Sequence, residues 1–398
     1  MNAPPPTGGP LASSVVVFAG DLSLANLAPH RPGSRFGHLT VGAVDRDTRV
    51  VRSWRHIAPL LEGAAASIVN LEACFSTLAY SPTEDLKRYL HRDDPEETLP
   101  ALAAHGFRFV SLGNNHVYDF GAEGLAETTR RLEAAGFQHF GLGATPEAAL
   151  QPLLLDVPVP QGPPVRFAIL SAFEYRDRAG VDSRDYYART DGVMAHPGVA
   201  SLGDPDAIRR VIQGLRREDP ERVVVLYPHW GEDYCGVTAQ QRADARALVA
   251  AGADLVIGHG AHQLQSVEVL DGRTAVYGLG NLLFQTTSQY QSTAQFPEAL
   301  PFSMIARLSV CRHSETLEVA LSLRLYPLHC DNLKVDFAPR PVTEATALET
   351  LMASPYGLAA SEPPLTPRWD GRGRLYVDVP VDLGARRAAH CPSSASVS

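Results

Sequence analysis

Short apolar runs recur along the chain, rich in Val, Ile, Leu and Phe, at residues 15–18, 67–71, 107–112, 165–170, 222–227 and 254–257. Runs this short, without polar alternation, read as strands covered on both faces. Between them lie stretches of helical period around 54–65, 99–105, 121–135, 204–217 and 238–251. Gly106 and Gly252 stop two of these, and Thr145-Pro146-Glu147 marks a further helix start. Strand and helix in alternation predict an α/β protein.

Later in the chain, 264–270 and 274–277 read as strands, and 302–310 and 317–326 alternate like antiparallel partners. Beyond Pro327 the pattern weakens to one helix near 342–352 and a strand at 375–379. Four segments break the rhythm. Residues 73–100 are irregular, and their charge run 92–97 reads as a solvated face. Residues 139–143 read as a turn. The Pro-rich 157–164 reads as a surface loop within one domain. The polar loop 173–198 carries Glu174, Tyr175, Arg176, Arg178, Arg184, Tyr186, Tyr187 and Arg189. A loop of that length inside a compact domain is disordered or functional, and its Arg and Tyr content suits an extended or anionic substrate. The expected organisation is a flexible start at 1–14, a domain at 15–330, an extension packed on it at 331–383, and a disordered tail at 384–398.

Composition narrows the partners. The 398 residues, 45% of them hydrophobic, suffice for one large core or two ordinary ones. A net charge of −9 argues against nucleic acid and anionic membrane as partners. The five cysteines are scattered without a C-x-x-C pair, which argues against a disulfide framework or a thiolate metal site. The first 14 residues carry no positive charge and the apolar run after them is short, so no signal peptide or membrane span is expected and the chain is assigned to the cytoplasm. Only Lys87 and Lys334 are lysines.

The chemistry collects where the predicted strands end. The first run closes on Asp21 and the second on Glu72. The third opens into Leu112-Gly113-Asn114-Asn115-His116-Val117-Tyr118-Asp119. A later run delivers His229, with Glu232 and Asp233 behind it, and another delivers Gly258-His259-Gly260-Ala261-His262. Carboxyl ends of strands are where ligand groups gather in open α/β sheets. Asp21, Glu72, Asn115, His229, His259 and His262 are oxygen and nitrogen donors suited to a divalent ion. A polar turn capping the helix after Asp119 is the plain alternative for the 112–119 loop. Asn281 reads as a turn residue that could also orient a ligand.

In this order, Gly20-Asp21, Asn70-Leu71-Glu72, Asn114-Asn115-His116 with Asp119 and Gly121, His229-Trp230-Gly231, Gly258-His259-Gly260-Ala261-His262 and Gly278-Leu279-Gly280-Asn281 form a series that resembles the CapA family. That family is named for bacterial poly-γ-glutamate capsule synthesis and is related to calcineurin-like metallophosphoesterases. The resemblance spans residues 15–284 and implies a four-layer α/β/β/α sandwich with a metal site at the strand ends. Carried over, Asp21 matches the first metal aspartate and Glu72 the bridging carboxylate. Asn115 matches the amide ligand, His116 the catalytic histidine beside it, His229 a further ligand and His262 the last histidine. Two positions depart from the phosphoesterase pattern. Leu22-Ser23 follows Asp21 where Asp-x-His is usual, and Gly260 takes the first position of the closing His-x-His, with His259 one residue early. One or two ions are therefore expected, with Mn, Fe, Zn, Mg and Ca all compatible with the donors.

The resemblance extends to soluble members that accompany ribosomal peptide pathways, including epimerisation of lasso precursor peptides. The expected function is Cα epimerisation of a residue in a peptide substrate through a polarised carbonyl and an enolate. His116, Asp119, His229, Glu232 and Asp233 are the available bases. A metallophosphoesterase or peptide hydrolase, and a non-catalytic component of capsule polymer synthesis, are the alternatives. The sequence does not set the oligomeric state.

Overall fold

A computed structural model describes residues 13–24, 28–37, 52–174, 186–191, 194–284 and 296–384. Two sheets face each other. In the larger, the strands run Pro367–Trp369, Leu375–Pro380, Val319–His329, Phe302–Arg312, Ser14–Ser23, Ala66–Leu71, Phe109–Ser111 and Gln138–Phe140, and Asn281–Phe284 also pairs with the first strand. In the smaller, Leu153–Val157, Val165–Leu170, Val223–Leu226, Leu255–Ile257, Arg273–Val276 and Val267–Leu270 lie side by side. The central strands of the smaller sheet are parallel and its two edge strands antiparallel.

The period of two along each strand divides the core into layers. Val16, Phe18 and Ile68 face Phe167, Val223, Val225, Leu255 and Ile257 in a cluster between the sheets. Their sequence neighbours Val17, Ala19 and Val69 turn the other way, onto Trp54, Leu60, Leu102, Leu125 and Leu132. On the far face of the smaller sheet, Ala168, Leu170, Val224 and Val256 pack on Ile208, Ile212, Leu215, Leu248 and Val249, from helices Pro205–Glu218 and Ala239–Ala251. Helix, sheet, sheet and helix follow one another, as the family resemblance implies. With apolar groups on both faces, these strands read as unbroken apolar runs.

Helix ends follow their cap residues. Thr238 and Gln241 make a reciprocal capping box, and Gly252, at φ 115°, closes the same helix in the left-handed region. The 92–97 charge run is not a solvated face. Asp94 caps the helix Pro95–Ala104, with Pro95 at its first position, and Asp93 is 2% exposed, accepting from Ser23 Oγ and the Leu24 amide. The Asp-Pro-Glu-Glu order was the available signal, a cap followed by Pro and two acids near the positive end of the helix. The 139–143 turn shrinks to Gly141, at φ 84°, between the strands Gln138–Phe140 and Leu142–Gly143. The helix expected over 54–65 is regular only at Ala58–Leu61.

The Pro-rich 157–164 is the loop of a hairpin joining Leu153–Val157 to Val165–Leu170. The extension at 331–383 adds Arg340–Pro341 and Leu375–Pro380 to the larger sheet, both against Val319–His329. Tyr175, Arg176, Arg178 and Arg184 of the long loop, Cys391, most of the 1–14 segment and nearly all of the 384–398 tail lie outside the described residues. Cys74, Cys235, Cys311 and Cys330, the cysteines among the described residues, form no disulfide with one another. Among the described residues, no helix is long and apolar enough to cross a membrane.

Leu255 lies between the sheets, fully buried. Leu255→Ala is expected to lower the unfolding free energy by about 2–5 kcal/mol in a urea titration, from lost contact and the cavity left behind. Leu154→Ala, on an edge strand and 54% exposed, is expected to change it by less than about 0.5 kcal/mol. Equal effects from the two would contradict the layered core.

Candidate metal centre

The carboxyl edges of the parallel strands from both sheets meet at one place. Asp21 lies inside the first strand, where its residue pairs with Asn70 on one side and Asn281 on the other. Glu72 follows the second strand directly. The loop after Phe109–Ser111 brings Asn115 and His116, and the smaller sheet brings His229 and the 258–262 loop. Glycine permits this crowding. A Cβ on Gly20 would sit 1.7 Å from the Gly280 carbonyl oxygen, so the strands carrying Asp21 and Asn281 approach only because none is there.

Two groups of donors form, sharing Asp21. Asp21, His229 and His259 make one, and Asp21, Glu72 and His262 the other. His259 Nδ1 lies 2.9 Å from Asp21 Oδ1 and 3.2 Å from His229 Nδ1. The Nε2 atoms of His229, His262 and His116 stand 3.7, 3.7 and 3.8 Å from Glu72 Oε1. Tetrahedral ligands about 2.0–2.1 Å from one ion lie roughly 3.4 Å apart, so these separations are close to those of ligands around an ion.

The orphaned atoms are the test of fit. Both carboxylate oxygens of Glu72 and Asn115 Oδ1 are buried with no hydrogen-bond partner among the described residues. Buried polar atoms are normally satisfied. Burial, followed by the charges of Asp21 and Asp233, pushes the Glu72 carboxyl well above the usual range. Burial acts on Asp21 in the same direction, but His259, His229 and His262 outweigh it and hold its pKa well below the ordinary value. A buried carboxylate beside other negative charges lacks a cation, and a divalent ion fits both that deficit and the mixed oxygen and imidazole donors.

Surrounding residues choose the tautomers. His262 Nδ1 lies 2.9 Å from Asn281 Oδ1, which only accepts, so the ring proton is on Nδ1 and Nε2 presents a lone pair towards Glu72. Asn281 therefore orients an imidazole and is not merely a turn residue. His262 also sits at φ 59°, a left-handed conformation rarely adopted by a residue with a side chain, so the fold holds strain at this ligand position. Asn70 donates to Asp21 Oδ1 at 2.9 Å and approaches His229 Nδ1 at 3.4 Å, while Asn114 donates to Asn70 and caps the amides of His116 and Val117.

Beside the donors sits an acid–base pair. His116 Nδ1 is 2.7 Å from Asp119 Oδ2, and Asp119 is fully buried. Lys87 donates to Asp119 Oδ1 and, at 2.9 Å, to the Asn115 carbonyl. Burial draws Lys87 towards neutrality, but Asp119 outweighs it and keeps the ammonium pKa above the ordinary lysine value. Asp233 is half-buried and its charge reaches Glu72, whereas Glu232 is exposed. The fold thus brings together Asp21, Glu72, Asn115, His116, Asp119, His229, His259 and His262, with Asp233 near them and Glu232 outside the buried donors. Sequence reasoning missed Lys87, Asn70 and Asn114 as site residues. Lys87 stood out only as one of two lysines, and the two amides only as neighbours of Glu72 and Asn115.

Zn²⁺ or Mn²⁺ binding followed by isothermal titration calorimetry is expected to weaken about 10–100-fold in Asn281→Ala, because His262 loses its orienting partner. An unchanged affinity would remove His262 from the ligand set. Lys87→Met is expected to cost about 3–5 kcal/mol in a urea titration, since it leaves the buried Asp119 charge uncompensated. Adding Asp119→Asn should recover part of that loss, and a double variant no more stable than Lys87→Met would count against the ion pair.

Comparison with known proteins covers the stretch of chain that carries these groups. Residues 15–286 match the family model described as bacterial capsule synthesis protein PGA_cap. The capsule biosynthesis protein CapA of Bacillus anthracis is 29% identical over 236 residues, which cover 58% of this chain and 53% of that protein. A probable polyglutamine synthesis accessory protein of Mycobacterium tuberculosis is 32% identical over 238 residues, covering 58% of this chain and 59% of that protein. The PGA biosynthesis protein CapA of Bacillus subtilis is 26% identical over 196 residues, covering 49% and 47%. The chain thus spans about half to three-fifths of the length of these curated relatives. With more than half of its residues inside the family model and its buried donors at the strand ends, the chain belongs to the bacterial capsule synthesis (CapA) family, which is related to the metallophosphoesterases.

Proposed function

We propose that the chain is a metal-dependent acid–base enzyme acting on a peptide substrate, and that its reaction is Cα epimerisation. The observation that carries the reading is the His116–Asp119 pair, 2.7 Å apart and buried, with His116 Nε2 turned towards the ion-binding donors at 3.8 Å from Glu72. Asp119 holds the proton of neutral His116 on Nδ1, which leaves Nε2 as the base. A divalent ion held by Asp21, Glu72, His229 and His262, with Asn115 and His259 within reach, would polarise a substrate carbonyl or acidify a water molecule.

The proton balance is simple. His116 Nε2 takes the Cα proton, the C–H bonding pair delocalises into the adjacent carbonyl, and a proton returns to the other face of the same carbon. The imidazolium formed on His116 is stabilised by Asp119, whose charge Lys87 in turn holds in place. Asp233, half-buried and close enough to influence Glu72, is better placed than the exposed Glu232 to return the proton. Names of relatives that refer to polyglutamine and capsule synthesis support a peptide-type substrate for this chain.

Hydrolysis is the second reading. It is favoured by one observation, the sharing of Asp21 between two donor groups, which is the arrangement a two-ion clamp requires.

The test is mass spectrometry in D₂O with the metal-loaded chain and, in parallel, candidate peptides, poly-γ-glutamate and p-nitrophenyl phosphate. Epimerisation predicts one deuterium gained without cleavage, lost with EDTA and reduced about 10²–10⁴-fold in His116→Gln. Peptide fragments would transfer the proposal to hydrolysis, and nitrophenolate release without deuterium uptake would overturn it in favour of a phosphoesterase.

A further inference from the structure

His91 takes no part in the chemistry above, yet it touches the acid–base pair twice. Its ring packs edge to face on His116, with centroids 4.1 Å apart, and its amide donates at 2.6 Å to Asp119 Oδ2, the same oxygen that His116 Nδ1 engages. It is 4% exposed, and its ring also packs on that of Phe284, at 5.0 Å.

A chain of hydrogen bonds fixes this ring from behind. Ser23 Oγ lies 3.0 Å from Asp93 Oδ1, and the other Asp93 oxygen accepts from the Leu24 amide and Thr98 Oγ1. With donors converging on that carboxylate, the single Ser23 proton goes to Asp93. The 3.2 Å contact between Ser23 Oγ and His91 Nδ1 must then be donated by the imidazole, so His91 carries its proton on Nδ1. Burial, then the neighbouring His116, lowers the His91 pKa well below the ordinary value, so the ring is neutral. All three members of this chain are buried; His91 and Asp93 lie two positions apart in one stretch, and Ser23 comes from the end of the strand Ser14–Ser23.

We propose that Asp93, Ser23 and His91 form a positioning relay for His116. By holding one neutral ring in one tautomer and one plane, the relay holds the His116 ring with Nδ1 on Asp119 and Nε2 towards Glu72. The relay rests on the acid–base reading of His116, but its geometry can be tested without any substrate. His91 acts through His116 and is a positioning residue.

The experiment is a long-range proton–nitrogen spectrum of the full chain, labelled with nitrogen-15 histidine and carrying Zn²⁺, with the His116 signal assigned by its loss in His116→Gln. In the parent chain His116 and His91 should each show a single form protonated on Nδ1. Ser23→Ala should broaden the His116 signal or split it into two forms, and Ser23→Thr, which keeps the hydroxyl, should restore one. His91→Phe keeps a ring against His116 but removes the nitrogens, and should leave the His116 form intact only if ring packing alone suffices. A His116 signal unchanged in both Ser23→Ala and His91→Phe overturns the relay. Loss of D₂O exchange activity in the parent chain, with these spectra as expected, would instead overturn the epimerase reading and leave the relay standing.

Discussion

Two carboxylates, Asp21 and Glu72, are buried completely at the junction of two sheets, and much of the surrounding structure answers the cost of putting them there. An isolated charge in such a place costs several kcal/mol or more unless it is paired and hydrogen-bonded. Asp21 is met by the Asn70 amide, the Gly260 N–H and the His259 ring. Glu72 is met by imidazole nitrogens just beyond hydrogen-bond range and, among the described residues, by no hydrogen-bond donor to its carboxylate. The asymmetry between the two acids fits an ion site: one carboxylate is held in position by protein donors, and the other has both oxygens available to a cation.

The backbone is bent to the same end. Gly20 has no Cβ where the Gly280 carbonyl passes, and the Gly260 N–H, at φ 101°, reaches an Asp21 oxygen. His262 is held at φ 59° with its ring fixed by Asn281. Strain of this kind persists only where packing over-determines it, and here the packing is the apolar cluster between the sheets. That cluster and the donors share the same strands: Phe18 packs between the sheets three residues before Asp21, and Ile257 two residues before His259. Core and site are therefore one construction, in which apolar side chains set the spacing that the polar ones need.

Around the donors, a second set of polar groups works by fixing tautomers rather than by touching an ion. Asn281 does so for His262 and Asp119 for His116, and Lys87 steadies Asp119. Metal ligands and general bases depend on which ring nitrogen carries the proton, and that is decided by the partner on the far side of the ring. The membership in the CapA family and this arrangement are consistent with one another, since the family model covers every one of these residues.

The sequence alone pointed to alternating strands and helices and to the strand ends where candidate donors gather, while the four layers came from the family resemblance. Unbroken apolar runs such as 223–226 and 255–257 read as strands covered on both faces, and acidic, amide and imidazole residues at their ends are placed to collect at one edge of such sheets. Local order also identified Gly252 as the stop of the helix expected from Thr238. What the sequence could not decide was which polar residues far apart in the chain meet. Asp93 looked like part of a solvated charge run, yet it is buried against Ser23, 70 positions earlier. Lys87 stood out only as one of two lysines, yet it lies on Asp119, and His91 drew no notice at all. Secondary structure follows from periodicity over a few neighbouring residues, but a buried hydrogen bond depends on the distance between atoms from remote segments, and only the packed sheets set that distance.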